Sequence, residues 1–318
     1  MSTTEASAPG KIILFGEHAV VYGQPAIAAP VTQVRAWARV SDAERPGVYI
    51  SAPDLEEEQW LEESDEEDAL AAAVRIVQKE ARLESLPPLH IEVHSDIPIA
   101  SGLGSGAATA AALIRALARH LGRVDLTKDE RVAELTYEVE KIHHGTPSGI
   151  DNTVVALERT IYFVRRSPQN LIEPFPVSQP LSFLIADSGL RSSTRDVVGD
   201  VRRRWQAQPQ HFDELFAGCG RIARNARAAL EAGDQAAIGP LMNENQALLQ
   251  RMTVSGPELD RLITVARQAG ASGAKLSGAG RGGNIIVLIN GSNQEAVRAA
   301  LLKAGAHRVM YTTLGQAP

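Results

Sequence analysis

The chain has 318 residues, with 32 Lys and Arg against 38 Asp and Glu, a formal net charge of −6. That mild acidity, with no basic run anywhere, excludes a protein built to neutralise nucleic-acid backbones, although a polyanionic small molecule is still a compatible ligand. A single cysteine, Cys219, excludes an internal disulfide scaffold and a cysteine metal cluster. No run of about 18 apolar residues is present to span a membrane.

The length suits two domains, because single cores stop growing near ~250–300 residues. The start, Met1 to Ser7, is polar and lacks a charged segment followed by an apolar one, so a cytoplasmic protein is expected. Lys11 to Gly16 reads as a buried strand running into a functional turn. Ala26 to Val40 and Gly47 to Ile50 read as a meander of strands. Asp54 to Asp68 is crowded with carboxylates; like charges this dense repel and prefer water, so a solvated loop is expected rather than a metal site. A helix follows over 67–82, with Leu70, Val74 and Val77 on one face. Leu89 to Ser95 alternates apolar and polar residues, the mark of a half-buried strand. It leads through Pro98 into the turn Ser101 to Gly106. A helix then runs from Ala107 to Leu121, with Leu113, Ile114, Leu117 and Leu121 as its buried stripe and Arg115 and Arg119 on its polar side.

Further helices are expected over 128–141 and from near Gly149, where Ser148 can cap. A strand covers Thr160 to Val164, and the proline-rich stretch Arg166 to Pro180 reads as a crossover between domains. Beyond it come a strand at 181–186 and helices at 193–217, 217–232, 238–252 and 257–269. Strands at 274–276 and 284–289, a helix at 293–304 and a strand at 309–313 complete an α/β (α+β) chain.

Two glycine-rich turns are candidates for holding phosphate. In the first, Gly102-Leu103-Gly104-Ser105-Gly106-Ala107, glycines allow close backbone approach, and the following helix end adds partial positive charge. The competing reading is a tight turn that needs positive φ. It is not a Walker A loop, since GxxxxGK[ST] occurs nowhere in the chain. The second turn, Ser277 to Gly283, contains GxGxxG, but a strand follows it rather than a helix, which is the wrong context for a dinucleotide fold. A tight β-turn and a ligand loop fit it equally, with Arg281 tipping the balance towards an anion contact.

Lys11 and the pair Glu17-His18 bracket the first apolar strand, as charged groups at a cleft do. A second polar cluster runs from Glu140 to Asp151. Asp151 falls in the first turn of its helix, either as a helix-end stabiliser or as a functional carboxylate.

The run Ala8-Pro9-Gly10-Lys11 through Gly16-Glu17-His18-Ala19-Val20-Val21-Tyr22-Gly23 resembles the opening motif of the mevalonate kinase branch of the GHMP superfamily of small-molecule kinases. Pro98 to Ala108 resembles that superfamily's phosphate-binding motif, Lys275 to Gly283 its third motif, and His144 to Asn152 the segment carrying its catalytic aspartate. The order and spacing span almost the whole chain.

The resemblance implies a two-domain GHMP kinase fold with ATP and substrate in the cleft between a nucleotide-binding domain (1–179) and a ferredoxin-like α/β domain (180–318). It implies an ATP-dependent kinase acting on the 5-hydroxyl of mevalonate. Lys11 matches the charge-neutralising lysine and Asp151 the base. Pro98, Ala100, Ser101, Gly102, Leu103, Gly104, Ser105, Gly106 and Ala107 match the nucleotide contacts. Glu17, His18, Thr194, Gly278 and Ala279 fall on the substrate side. Glu140 matches the magnesium ligand. Gly106 departs from the family's second serine, so either Ser105 or a water completes the Mg2+ shell, or the metal is held mainly by Glu140 and the phosphates. A homodimer is the usual assembly for the resemblance, with no nucleic-acid or membrane partner. The alternatives are another GHMP-type kinase, such as phosphomevalonate or homoserine kinase, and a catalytically silent nucleotide-binding module. The hallmark of that module would be loss of Lys11 or Asp151, and both are present.

Overall fold

The computed structural model describes residues 2–55, 57–98, 102–144 and 147–315. The chain divides into two compact units that interleave in sequence. The first holds residues 1–11, 32–99 and 103–158, and the second 12–31, 100–102 and 159–318. The division therefore falls inside two strands, after Lys11 in β1 (Thr3–Phe15) and after Val31 in β2 (Pro25–Asp42). Residues 12–31 and 159–179 group with the second unit rather than with the rest of 1–179.

In the first unit, β3 (Val48–Ala52), β4 (Glu57–Trp60) and β5 (Leu89–Ser95) join β2 in the order β4-β3-β5-β2. The expected meander is not what forms. β3 pairs in parallel with β5, and β2 takes the opposite edge of β5 in antiparallel register. The reason is connectivity: α1 (Ala69–Ala81) lies between β3 and β5 in the chain, and a helical crossover is what joins parallel neighbours. The acidic stretch is also more than loop, since β4 lies within it and Glu58 accepts a hydrogen bond from the Tyr49 hydroxyl at 2.6 Å. β5 alternates as its sequence predicts, with Leu89, Ile91 and Val93 buried.

α2 (Ser105–His120) is alanine-rich and buried along most of its length. Arg115, expected on its polar side, is 5% exposed and ion-paired with Asp129 at 2.8 Å. Arg119 is exposed, as expected. α3 (Asp129–His144) and α4 (Ile150–Leu157) pack on α2 and on each other.

In the second unit, β6 (Ile161–Val164) pairs with residues 25–28 of β2, and β7 (Leu171–Pro174) pairs with β6. Part of the proline-rich crossover is therefore strand. β8 (Leu181–Asp187), β9 (Gly273–Ser277), β10 (Asn284–Ile289) and β11 (Arg308–Leu314) form a sheet in the order β11-β8-β10-β9. All its neighbours are antiparallel. Helices separate β8 from β9 and β10 from β11, so the succession is the ferredoxin-like one.

α5 (Thr194–Ala207) and α6 (Pro209–Ala232) break at Gln208, not at Ala217. Pro209 has no N–H and pushes the preceding residue out of helical conformation; Gln208 has φ −139 and ψ 65. α7 (Gln235–Arg251), α8 (Pro257–Gln268) and α9 (Gln294–Lys303) follow. All six residues of β10 are buried, and Phe212, Phe216, Leu262, Ile285 and Val287 share one core. Among the described residues, no helix is long and apolar enough to cross a membrane.

Candidate active site

In the first unit the site begins where β1 meets the glycine-rich turn. The Lys11 backbone N–H donates to Leu103 O at 2.8 Å, which fastens the turn to the strand that carries the lysine. Gly104 takes φ 74 as the N-cap of α2, and no side chain caps that end. A Cβ on Gly104 would stand 2.9 Å from Lys11 Cγ, so glycine is required both for conformation and for passage of the lysine. Ser105 opens the helix half-buried, with Gly106 exposed and Leu103 and Ala107 buried beside it. The first-turn amides of a 16-residue helix thus lie beside a buried ammonium group, an arrangement suited to an anion. Pro98 leads into this turn and Gly102 begins its described part. Ala100 and Ser101 lie outside the described residues.

Asp151 enters from α4, whose N-cap Gly149 has φ 90. Ser148 is not the cap; it stands one position earlier, and its Oγ accepts from Ile150 N at 3.3 Å. Lys11 Nζ lies 3.1 Å from Asp151 Oδ2, with the lysine side chain buried and the carboxylate 31% exposed. Glu140 comes from α3 and is buried. Burial, and then the negative charge of Asp151, push its carboxyl up to about 7, with Lys11 opposing. Glu140 Oε1 would be 3.7 Å from a Cβ on Gly106. The structure therefore brings Lys11, Asp151, Glu140 and the Gly104–Gly106 turn together.

A buried carboxylate resisting ionisation beside a second carboxylate is a fit partner for a divalent cation. No group of three or more His, Cys, Asp or Glu able to hold a metal occurs among the described residues. Glu140 would therefore be one protein ligand among oxygens from elsewhere, which is how magnesium is usually held with phosphates.

The second unit holds the other expected site residues. Gly16 turns at φ 92, and a Cβ there would meet Pro25 O at 2.4 Å. Glu17 follows and is sealed from water. Glu17 and Lys275 are both 0% exposed, with Glu17 Oε1 against Lys275 Nζ. Lys275 Nζ also donates to Leu276 O at 2.6 Å. Glu17 thus anchors the turn that presents His18. Lys275 heads the third motif, but the motif does not reveal its partner; the available signal is a lone lysine in the fully buried strand β9.

His18 is itself held at φ 58. Its Nε2 donates to Ala279 O at 2.8 Å, and burial, the largest cause, pulls its imidazole down to about 4. The ring is therefore neutral near pH 7, and its buried Nδ1 has no hydrogen-bond partner among the described residues. Gly278 and Ala279 sit half-buried in the turn between β9 and β10. Thr194 is exposed at the start of α5, where Ser193 Oγ accepts from Asp196 N at 3.2 Å as the N-cap. Arg281 is not a free anion contact, because its guanidinium is taken by Asp200 and by Thr253 O.

Known proteins match the chain along nearly its whole length. The family profile described as GHMP kinases N terminal domain matches residues 68–159, and that described as GHMP kinases C terminal matches 226–307. The mevalonate kinase of Thermococcus sibiricus is 36% identical over 320 residues, covering 94% of this chain and 93% of its own. That of Pyrococcus horikoshii is 36% identical over 318 residues, covering 94% and 92%. Among solved structures, L. major mevalonate kinase in complex with R-mevalonate superposes with a TM-score of 0.84 at 29% identity, covering 99% of this chain and 97% of that one. Methanococcus jannaschii mevalonate kinase gives 0.87 at 25% identity, covering 99% of each chain.

Proposed function

Because this chain belongs to the GHMP kinase family, we propose that it transfers the γ-phosphoryl group of ATP to the 5-hydroxyl of mevalonate, releasing 5-phosphomevalonate and ADP. The observation that carries this reading is the Lys11–Asp151 pair at 3.1 Å, set beside the uncapped glycine-rich start of α2. Phosphoryl transfer needs an in-line hydroxyl, neutralisation of charge on the moving group and a place for the proton. Asp151 accepts the proton as the hydroxyl attacks. Lys11 stabilises the developing negative charge. Backbone amides of Gly102 to Ala107 hold the triphosphate. His18 Nδ1, a neutral acceptor, and the Thr194 hydroxyl take the alcohol. Glu140 would hold magnesium, with Ser105 as a further candidate ligand, and the ion would neutralise charge on the phosphate oxygens. ATP dependence and a lone buried thiol support a cytoplasmic setting, and a homodimer is carried over from the resemblance.

ADP release with mevalonate, with and without magnesium, tests the activity, and homoserine and phosphomevalonate in the same assay test the alternatives. Asp151→Asn is expected to lower kcat by about 10²–10⁴ while ATP affinity is retained. Turnover within about tenfold of wild type, less than a general base usually contributes, would remove the base assignment.

A further inference from the structure

The turn 278–283 between β9 and β10 takes positive φ at each of its glycines and also at Arg281, φ 55. That left-handed conformation is costly for any residue with a Cβ and free for glycine. What the arginine adds at this position is its side chain. Its Nη2 donates to Asp200 Oδ2 at 2.5 Å and its Nε to Thr253 O at 3.1 Å. Asp200 lies in the second turn of α5 and also accepts from Arg204 Nε at 2.9 Å and Arg203 Nη2 at 3.2 Å. Arg281 and then Arg204 hold its carboxyl down to about 2, so Asp200 is ionised near neutral pH.

The same turn grips the approach to α5. Ser192 Oγ donates to Gly280 O at 2.6 Å, and Gly283 N donates to Leu190 O at 2.8 Å. Thr194 therefore lies between two anchors to one turn, Ser192 on one side and Asp200 on the other. The turn also receives His18 through Ala279 O.

We propose that Arg281 is a positioning residue for the phosphoryl acceptor: its ion pair with Asp200 pins α5 to the glycine-rich turn and so sets where Thr194 stands relative to His18. This rests on the reading above that Thr194 and His18 face the acceptor. An unpinned α5 keeps its own hydrogen bonds but lets Thr194 wander, which weakens acceptor binding and leaves the nucleotide contacts of the first unit alone.

Steady-state kinetics of the full chain with ATP and mevalonate, read as ADP release, tests the proposal in Arg281→Gly, Arg281→Lys, Asp200→Asn and the double variant Arg281→Gly/Asp200→Asn. Glycine suits φ 55, so Arg281→Gly keeps the turn. We expect KM for mevalonate to rise about tenfold in Arg281→Gly and in Asp200→Asn, the scale of coupling between contacting residues, with KM for ATP within about twofold. The double variant should be no worse than the singles, and Arg281→Lys should recover most of the loss. A lower Tm with unchanged KM for mevalonate, or an equal rise in both KM values, overturns the proposal. Thr194→Ala is the control: if it leaves KM for mevalonate unchanged while Arg281→Gly raises it, the route through α5 is overturned. If wild type does not turn over mevalonate, the proposed function fails separately, and the same variants are read on whichever acceptor the ADP-release panel identifies.

Discussion

Glu140 and Asp151 share the neighbourhood of Lys11, yet their surroundings differ. Asp151 is partly exposed and ion-paired. Glu140 is buried, and its carboxyl rises from 4.5 to about 7. The folded state therefore holds the Glu140 proton more tightly than the unfolded chain does. Below about pH 4.5 both states are protonated and no penalty exists. As pH rises through 7, stability is lost, by roughly 3 kcal/mol at most. Glutamine mimics the protonated form, so the Tm of Glu140→Gln minus that of wild type, measured without magnesium, should widen between pH 5 and pH 8. A flat difference would mean that the charged carboxylate is well solvated. Lys11, Asp151 and Glu140 were legible in the sequence through their motifs. Their meeting was not, because Lys11 and Asp151 are 140 positions apart and only the tertiary fold of the first unit brings them to 3.1 Å.

At the scale of elements, local signals served well where the deciding partners are near in sequence. β5 alternates as predicted, and α2 begins at its glycine-rich turn. Gly104→Ala tests how closely the turn and the lysine are fitted. The left-handed φ alone costs about 1 kcal/mol or more, and the new methyl would crowd Lys11 Cγ. We expect a loss of about 1–3 kcal/mol in urea unfolding, with kcat falling further than stability explains, because Lys11 must shift. The order of β2, β3 and β5 was not legible, since it depends on which edge the α1 crossover leaves open. The α5–α6 break was legible in principle: Pro209 marks it, and helical periodicity running past the proline hid it.

Across the whole molecule, the Glu17–Lys275 pair joins positions 258 apart. Both side chains are sealed from water, and burial pulls the lysine down while Glu17 opposes. Removing one partner leaves an uncompensated buried charge. Lys275→Met should therefore cost about 3–5 kcal/mol in denaturant unfolding, and Glu17→Gln/Lys275→Met less than that. Equal losses in the single and double variants would show that packing rather than charge dominates. Such long-range closure also raises contact order, so unit two should fold more slowly than its helix content alone suggests.

The sequence alone determined most of the kinds of element and the two glycine-rich turns, and it marked Lys11 and Asp151 singly as candidates. Each of these depends on residue type and short spacing, which neighbours along the chain settle. Tertiary structure alone decided that Glu17 pairs with Lys275, that Arg115 is buried and that Arg281 pairs with Asp200. Those outcomes turn on which distant groups remove water from a charge, and desolvation is a property of packing in three dimensions.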